Sequence, residues 1–112
     1  MLTPGDVVEV DLGMPAGSEA GLRRLAVVVT ARRILRGGPN VVQVIPLTRT
    51  IRSGGSEVLI APDDGNGLDG PYAAQCQHPR SVATTRIQQR RGNVGPLVLA
   101  ELRETVSLLV DL

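Results

Sequence analysis

Apolar positions in this chain come in short runs of strand length, separated by glycine- and proline-rich punctuation. The run Asp6 to Leu12 (DVVEVDL) alternates in part, is rich in β-branched residues and follows Pro4-Gly5, so it predicts a first strand. The next ten residues hold three glycines and no periodicity, and Gly13 to Gly21 is expected to be a mobile surface loop. Leu25 to Thr30 (LAVVVT) is continuously apolar, which implies burial on both faces and a central position in the sheet. Val41 to Leu47 predicts a third strand, with Pro46 marking an end or bulge, and Ser56 to Ile60 a fourth. Pro62 to Pro71 is the most turn-rich stretch and predicts a long loop. Tyr72 to Gln77 and Arg80 to Ala83 read as two short strands or one bent strand, because Pro79 removes a ladder donor between them.

One helix is clear. Leu99, Leu102, Val106 and Leu109 recur at helical spacing and predict a core-facing stripe, with Pro96 in the tolerated first turn. Five to seven short strands and one terminal helix favour a mostly β fold, a small curved barrel. At 112 residues the length allows one domain, expected to span 1–112.

Composition narrows the chemistry. Tyr72 is the sole aromatic residue, so the core must be built from Val, Leu, Ile and Ala, and nucleic-acid binding through several stacking platforms is excluded. Cys76 is the single cysteine, which excludes an internal disulfide and a thiolate zinc site, and its place on an expected strand reads as a small buried apolar residue. No metal or other cofactor is expected. Twelve basic residues, all Arg, against eleven acidic give a net charge of +1, so any polyanion site has to arise from distribution and not from total charge. Arg86, Arg90 and Arg91 form a local basic cluster that fits either a solvated face or phosphate contacts. The N-terminus lacks the charged-then-apolar order of an export signal and no run reaches membrane-span length, so a cytoplasmic protein without membrane contact is expected.

Four segments carry a more specific signal: Gly5-Asp6-Val7-Val8-Glu9-Val10-Asp11-Leu12, Gly17-Ser18-Glu19, Arg24-Leu25-Ala26-Val27-Val28-Val29 and Val44-Ile45-Pro46-Leu47-Thr48. In this order and spacing they resemble the MazF/PemK family of toxin endoribonucleases. Gly67-Leu68, Arg80-Ser81-Val82, the Gly92 to Gly95 turn and the amphipathic C-terminal end continue the resemblance over nearly the whole chain. Three departures bear on the substrate groove more than on the reaction. Leu25 stands where the family has proline, His78-Pro79 where it has Gln and an aliphatic residue, and Tyr72 where a small hydroxyl or thiol residue is common.

The resemblance implies an SH3-like barrel of the MazF/PemK/CcdB type that acts as a homodimer. It also implies metal-independent cleavage of single-stranded RNA, in which the 2′-OH attacks its own phosphate and leaves a 2′,3′-cyclic phosphate and a 5′-OH. The nucleophile is tethered to its electrophile, so the protein must supply alignment, proton transfer and charge stabilisation on a five-coordinate phosphorane. Arg24 and Thr48 match the family's catalytic pair, a permanent cationic fork and a hydroxyl donor for one phosphate. By the same analogy Glu19 accepts the 2′-OH proton, while Ser18, Arg23, Arg49 and Arg80 hold RNA. A MazE-like antitoxin, acidic and folding on binding, is the implied partner. His78, the only histidine, fits a turn residue or a general acid. The rival reading is a CcdB-like poison that binds DNA gyrase through its C-terminal helix. It needs neither Arg24 nor Thr48 but calls for an exposed aromatic anchor, and Val110-Asp111-Leu112 supplies none.

Overall fold

The computed structural model describes residues 1–12, 23–52 and 54–110. Seven strands form one antiparallel system: β1 (Asp6–Asp11), β2 (Arg23–Val28), β3 (Val41–Thr48), β4 (Glu57–Ile60), β5 (Tyr72–Gln75), β6 (Arg80–Ala83) and β7 (Ile87–Asn93). A single helical turn, α1 (Arg32–Leu35), follows β2, and α2 (Gly95–Leu109) ends the described chain. The strand order is β4-β5-β3-β2-β1-β7, with β6 also on β3. The mostly β fold with a C-terminal helix expected from the run pattern is what forms.

Register explains why the apolar runs are unbroken. Val7 pairs with Val27, which pairs with Ile45, so one row of side chains points into the layer that α2 covers through Leu99 and Leu102. The alternate row, with Val8, Ala26, Val28 and Val44, enters a second apolar layer closed by Leu35 of α1. Each such valine is fully buried and contributes roughly 1.5–3 kcal/mol relative to an exposed one. β2 lies between β1 and β3, inside the sheet as its pattern predicts.

β3 is the hub. Val41 to Val44 pair with β6, while Leu47 and Thr48 pair with β5. The change of partner falls around Pro46, which offers no N–H, and the segment between β5 and β6 bulges out of the ladder there. Of the two sequence readings, two short strands is the one that forms.

Strand pairing leaves β4 and β7 at the ends of the order, and the 62–71 loop ties them together. Asn93 donates its backbone N–H to Gly65 at 2.9 Å. Gly67, at φ +68°, lies so close to β7 that a Cβ there would collide with the Arg91 carbonyl oxygen. The loop is internally braced, because the buried Asn66 accepts from the Asp63 and Leu68 amides and donates to the Ala61 carbonyl.

Three expectations need correction. Leu109 is 46% exposed and not core, because α2 outruns the apolar layer and its last turn leaves Leu108 and Val110 exposed as well. β2 begins at Arg23, so Arg23 and Arg24 lie on the strand itself, with Arg24 opposite Val10. The basic cluster Arg86, Arg90 and Arg91 borders and enters β7, a strand whose side chains are mostly polar and exposed, so its sequence carried no apolar signal. Pairing with β1 and two ion pairs, Arg90 to Asp6 and Arg91 to Glu9, hold it in place.

Candidate functional site

The ladder between β2 and β3 ends at Ala26 and Pro46, and the same register continued two residues further sets Arg24 against Thr48. There the strands part and an open surface forms. Arg24 and Thr48 line one depression of about 370 Å³ together with Arg23, Arg49 and Tyr72. Arg24 also borders a second depression beside Asp69, Glu9 and Arg91, and a third beside Gln75, Gln77, His78 and Arg80. It is the side chain common to all three.

The Arg24 guanidinium is fixed on one side only. Its Nη2 donates to the Leu47 carbonyl at 3.0 Å and to Gln75 Oε1 at 2.9 Å. Nε and Nη1 have no acceptor among the described residues, and no carboxylate neutralises the charge there. Such an arginine is oriented yet still able to grip an anion. Thr48 complements it. Its Oγ1 accepts the Thr50 amide at 3.1 Å, which uses a lone pair and leaves the hydroxyl proton without an acceptor among the described residues.

The wall nearest Arg24 is more tightly organised. Asp69 accepts from Arg49 at 2.6 Å and from the Tyr72 hydroxyl at 2.9 Å, and the Arg49 guanidinium carbon lies 5.0 Å from the Tyr72 ring centroid. The Arg49 hydrogen bond, followed by that of Tyr72, lowers the Asp69 pKa, while Arg49 is raised by the same carboxylate. Burial, then Asp69, raises the Tyr72 pKa, so its phenol is a hydrogen-bond donor at neutral pH. On the adjoining side Arg91 donates to Glu9 at 2.7 Å.

Of the residues singled out from sequence, Arg23, Arg24, Thr48 and Arg49 come together, and Arg80 with His78 borders the groove on the far side of Arg24. Ser18 and Glu19 lie outside the described residues. Arg49 is already engaged by Asp69, whereas Arg23 and Arg80 have no carboxylate partner among the described residues. Gln75, Asp69 and Glu9 were missed. Each is an ordinary polar residue whose place depends on pairings distant in sequence, 51 residues in the case of Gln75 with Arg24.

Fold and site together define a small, barrel-like antiparallel sheet protein with an arginine-lined groove at its strand ends. Residues 3–110 match the family described as PemK-like, MazF-like toxins of type II toxin-antitoxin systems, and the chain belongs to that family. It is 35% identical to endoribonuclease MazF9 of Mycobacterium tuberculosis, over all of this chain and 98% of the relative. Among solved structures it is similar to a MazE-MazF complex of Deinococcus radiodurans, at 25% identity and TM-score 0.79, covering 99% of this chain and 97% of the other. A mycobacterial endoribonuclease in complex with its cognate antitoxin shares the fold with TM-score 0.80 at 19% identity, covering 100% and 97% of the two chains. No helix among the described residues is long and apolar enough to cross a membrane.

Proposed function

We propose that this protein is the endoribonuclease toxin of a toxin-antitoxin pair, cleaving single-stranded RNA at a short sequence without a metal and restrained by a MazE-like antitoxin. The observation that carries the reading is the half-anchored guanidinium of Arg24 beside the undonated hydroxyl of Thr48. Family membership and the full-length similarity to endoribonuclease MazF9 support it independently.

In this mechanism the scissile phosphate lies against Arg24 and Thr48. The 2′-oxygen attacks phosphorus as its proton passes to Glu19, the bond to the 5′-oxygen breaks, and that oxygen takes a proton from solvent to depart as a 5′-OH, after which Glu19 returns its proton to solvent. Negative charge grows on the non-bridging oxygens as the phosphorane forms, and Nε and Nη1 of Arg24 with the Thr48 proton are placed to meet it. Arg23, Arg49 and Arg80, with Ser18, hold the flanking strand, and their alignment keeps the 2′-oxygen in line with the leaving group. The acting unit is a cytoplasmic homodimer of one domain per chain. An acidic, disordered antitoxin segment suits the same arginines, which gain by neutralisation what the segment loses in ordering entropy.

The test is incubation of the protein and its Arg24→Ala variant with a long synthetic RNA in excess EDTA, followed by mapping of fragment ends. Cyclic 2′,3′-phosphate ends at a recurrent short motif, absent with the variant, are the expected result. Intact RNA from folded wild-type dimer overturns the proposal and returns attention to a gyrase-directed poison.

A further inference from the structure

Arginine has no acceptor atom, so the Gln75 atom 2.9 Å from Arg24 Nη2 must be the carbonyl oxygen. That settles the amide's orientation on chemical grounds: Oε1 faces Arg24 and Nε2 faces away. Nε2 donates to nothing among the described residues and is not sealed from solvent. Gln75 itself lines the depression of about 380 Å³ that it shares with Arg24, Gln77, His78 and Arg80. Its side chain therefore bridges the arginine and the open groove.

The second anchor is on β3, the strand that lies between β2 and β5. The Leu47 carbonyl belongs to the residue just before Thr48, so one anchor of the guanidinium is tied to the backbone that carries the hydroxyl. The Leu47 anchor alone would leave the guanidinium free to rotate about a single hydrogen bond. With Gln75 as well, both protons of Nη2 are committed and the plane of the group is set, so that Nε and Nη1 face outward together. The backbone beneath Gln75 is rigid: it pairs with Glu57 on β4, and the next residue, Cys76, is buried against α2.

We propose that Gln75 is the positioning residue for Arg24, fixing the guanidinium plane through Oε1 while presenting Nε2 as an uncharged donor to the RNA strand on the His78 side. This rests on the ribonuclease reading above. The two ends of the amide are separable. Gln75→Met keeps the length and removes both functions, whereas Gln75→Glu keeps an acceptor for Arg24 but turns the donor end into a repulsive carboxylate oxygen.

Steady-state cleavage of one mapped RNA site by the three proteins, each checked for native melting behaviour, tests the idea. Gln75→Met is expected to lower kcat by about 10- to 100-fold, since the alignment of a transition-state contact is lost. Gln75→Glu is expected to recover part of that kcat while raising KM, because orientation returns and the strand is repelled. A folded Gln75→Met protein with kcat within about twofold of wild type overturns the proposal, as does a Gln75→Glu variant that recovers none of the loss. Wild-type protein that cuts no RNA overturns the ribonuclease reading and this inference with it, so the two failures are told apart by the wild-type lane.

Discussion

At the start of β1 the carboxylate of Asp6 is fully buried. It accepts from the Thr3 amide at 2.7 Å, from Arg90 at 2.9 Å and from Asn93 Nδ2 at 3.1 Å. In the groove, Asp69 also meets an arginine and a second donor, yet the side chains of Arg49 and Asp69 are 65% and 61% exposed. The pairs are alike in chemistry and differ in solvent. A buried carboxylate without partners is costly, so every donor around Asp6 is obligatory and the cluster locks β1, the N-terminal turn and the end of β7 into one unit. An exposed pair is worth little and is readily exchanged for another anion. The molecule thus has a sealed end that holds the fold and an open end whose arginines remain available.

The largest effect that follows is at the open end. Arg24→Ala is expected to reduce RNA cleavage by at least about 100-fold, the usual scale for removing one transition-state charge contact. Its melting temperature should stay close to wild type, because Arg24 closes no buried cluster. If cleavage survives in the variant, the division between the two ends fails at its most important point. The sealed end should behave inversely. Asp6→Ala leaves the Thr3 amide without its acceptor, removes one of the two acceptors of Asn93 Nδ2, and is expected to cost about 3 kcal/mol in urea denaturation. Any residual folded protein should cut RNA at the wild-type rate. A loss below about 1 kcal/mol would show that Asp6 is not the structural lock.

How far these two ends were legible in the sequence differs for a physical reason. β1, β2 and β3 announce themselves because valine-rich runs buried on two faces need no partner to be recognised, whereas β5 and β6 are short and were legible only as alternatives. Arg24 and Thr48 were legible through the segments around them. β7 was not, since Ile87 to Asn93 holds one large apolar residue and owes its strand to β1 and to Asp6 and Glu9 across the ladder. α1 is a single turn, too short for periodicity, and is fixed by the burial of Leu35. Gln75 is unremarkable until β2, β3 and β5 are placed side by side. Local pattern reports burial, whereas polar networks are products of the tertiary pairing.

Neighbouring residues on and just beyond β5 repeat the contrast on a smaller scale. Gln75 opens to the groove, while Cys76 is buried with its Sγ 4.0 Å from the Leu102 carbonyl. Burial, assisted by Glu101 and Glu57, raises the Cys76 thiol from its ordinary 9.0 to about 11. The raised folded value sets the sign. Below pH 9 the thiol is protonated in both states and stability is unaffected. Between about 9 and 11 only the unfolded chain loses the proton, so stability falls with rising pH, by on the order of 2 kcal/mol in total. Tyr72 titrates in the same direction, so the effect of Cys76 is read from the difference between wild type and Cys76→Ala in alkaline urea titrations. Parallel curves would place the thiol in contact with water.

The smallest expected effect concerns the exchangeable pair itself. Asp69→Asn keeps an oxygen to accept the Tyr72 hydroxyl but releases Arg49 from its counter-charge. If the pair is exchangeable, an RNA phosphate gains a free guanidinium and loses a repelling carboxylate. Binding of an RNA carrying a 2′-deoxy group at the cleaved position should then tighten by about threefold at low salt, with the gain fading as the Debye length shrinks. The dependence of log K on log salt should steepen by about 0.7, the share of one further phosphate contact on a single strand. Arg49→Ala in the same background should abolish both changes. Should Asp69→Asn instead lower the melting temperature as Asp6→Ala does, Asp69 belongs with the sealed end, and the groove has one available arginine fewer than its geometry suggests.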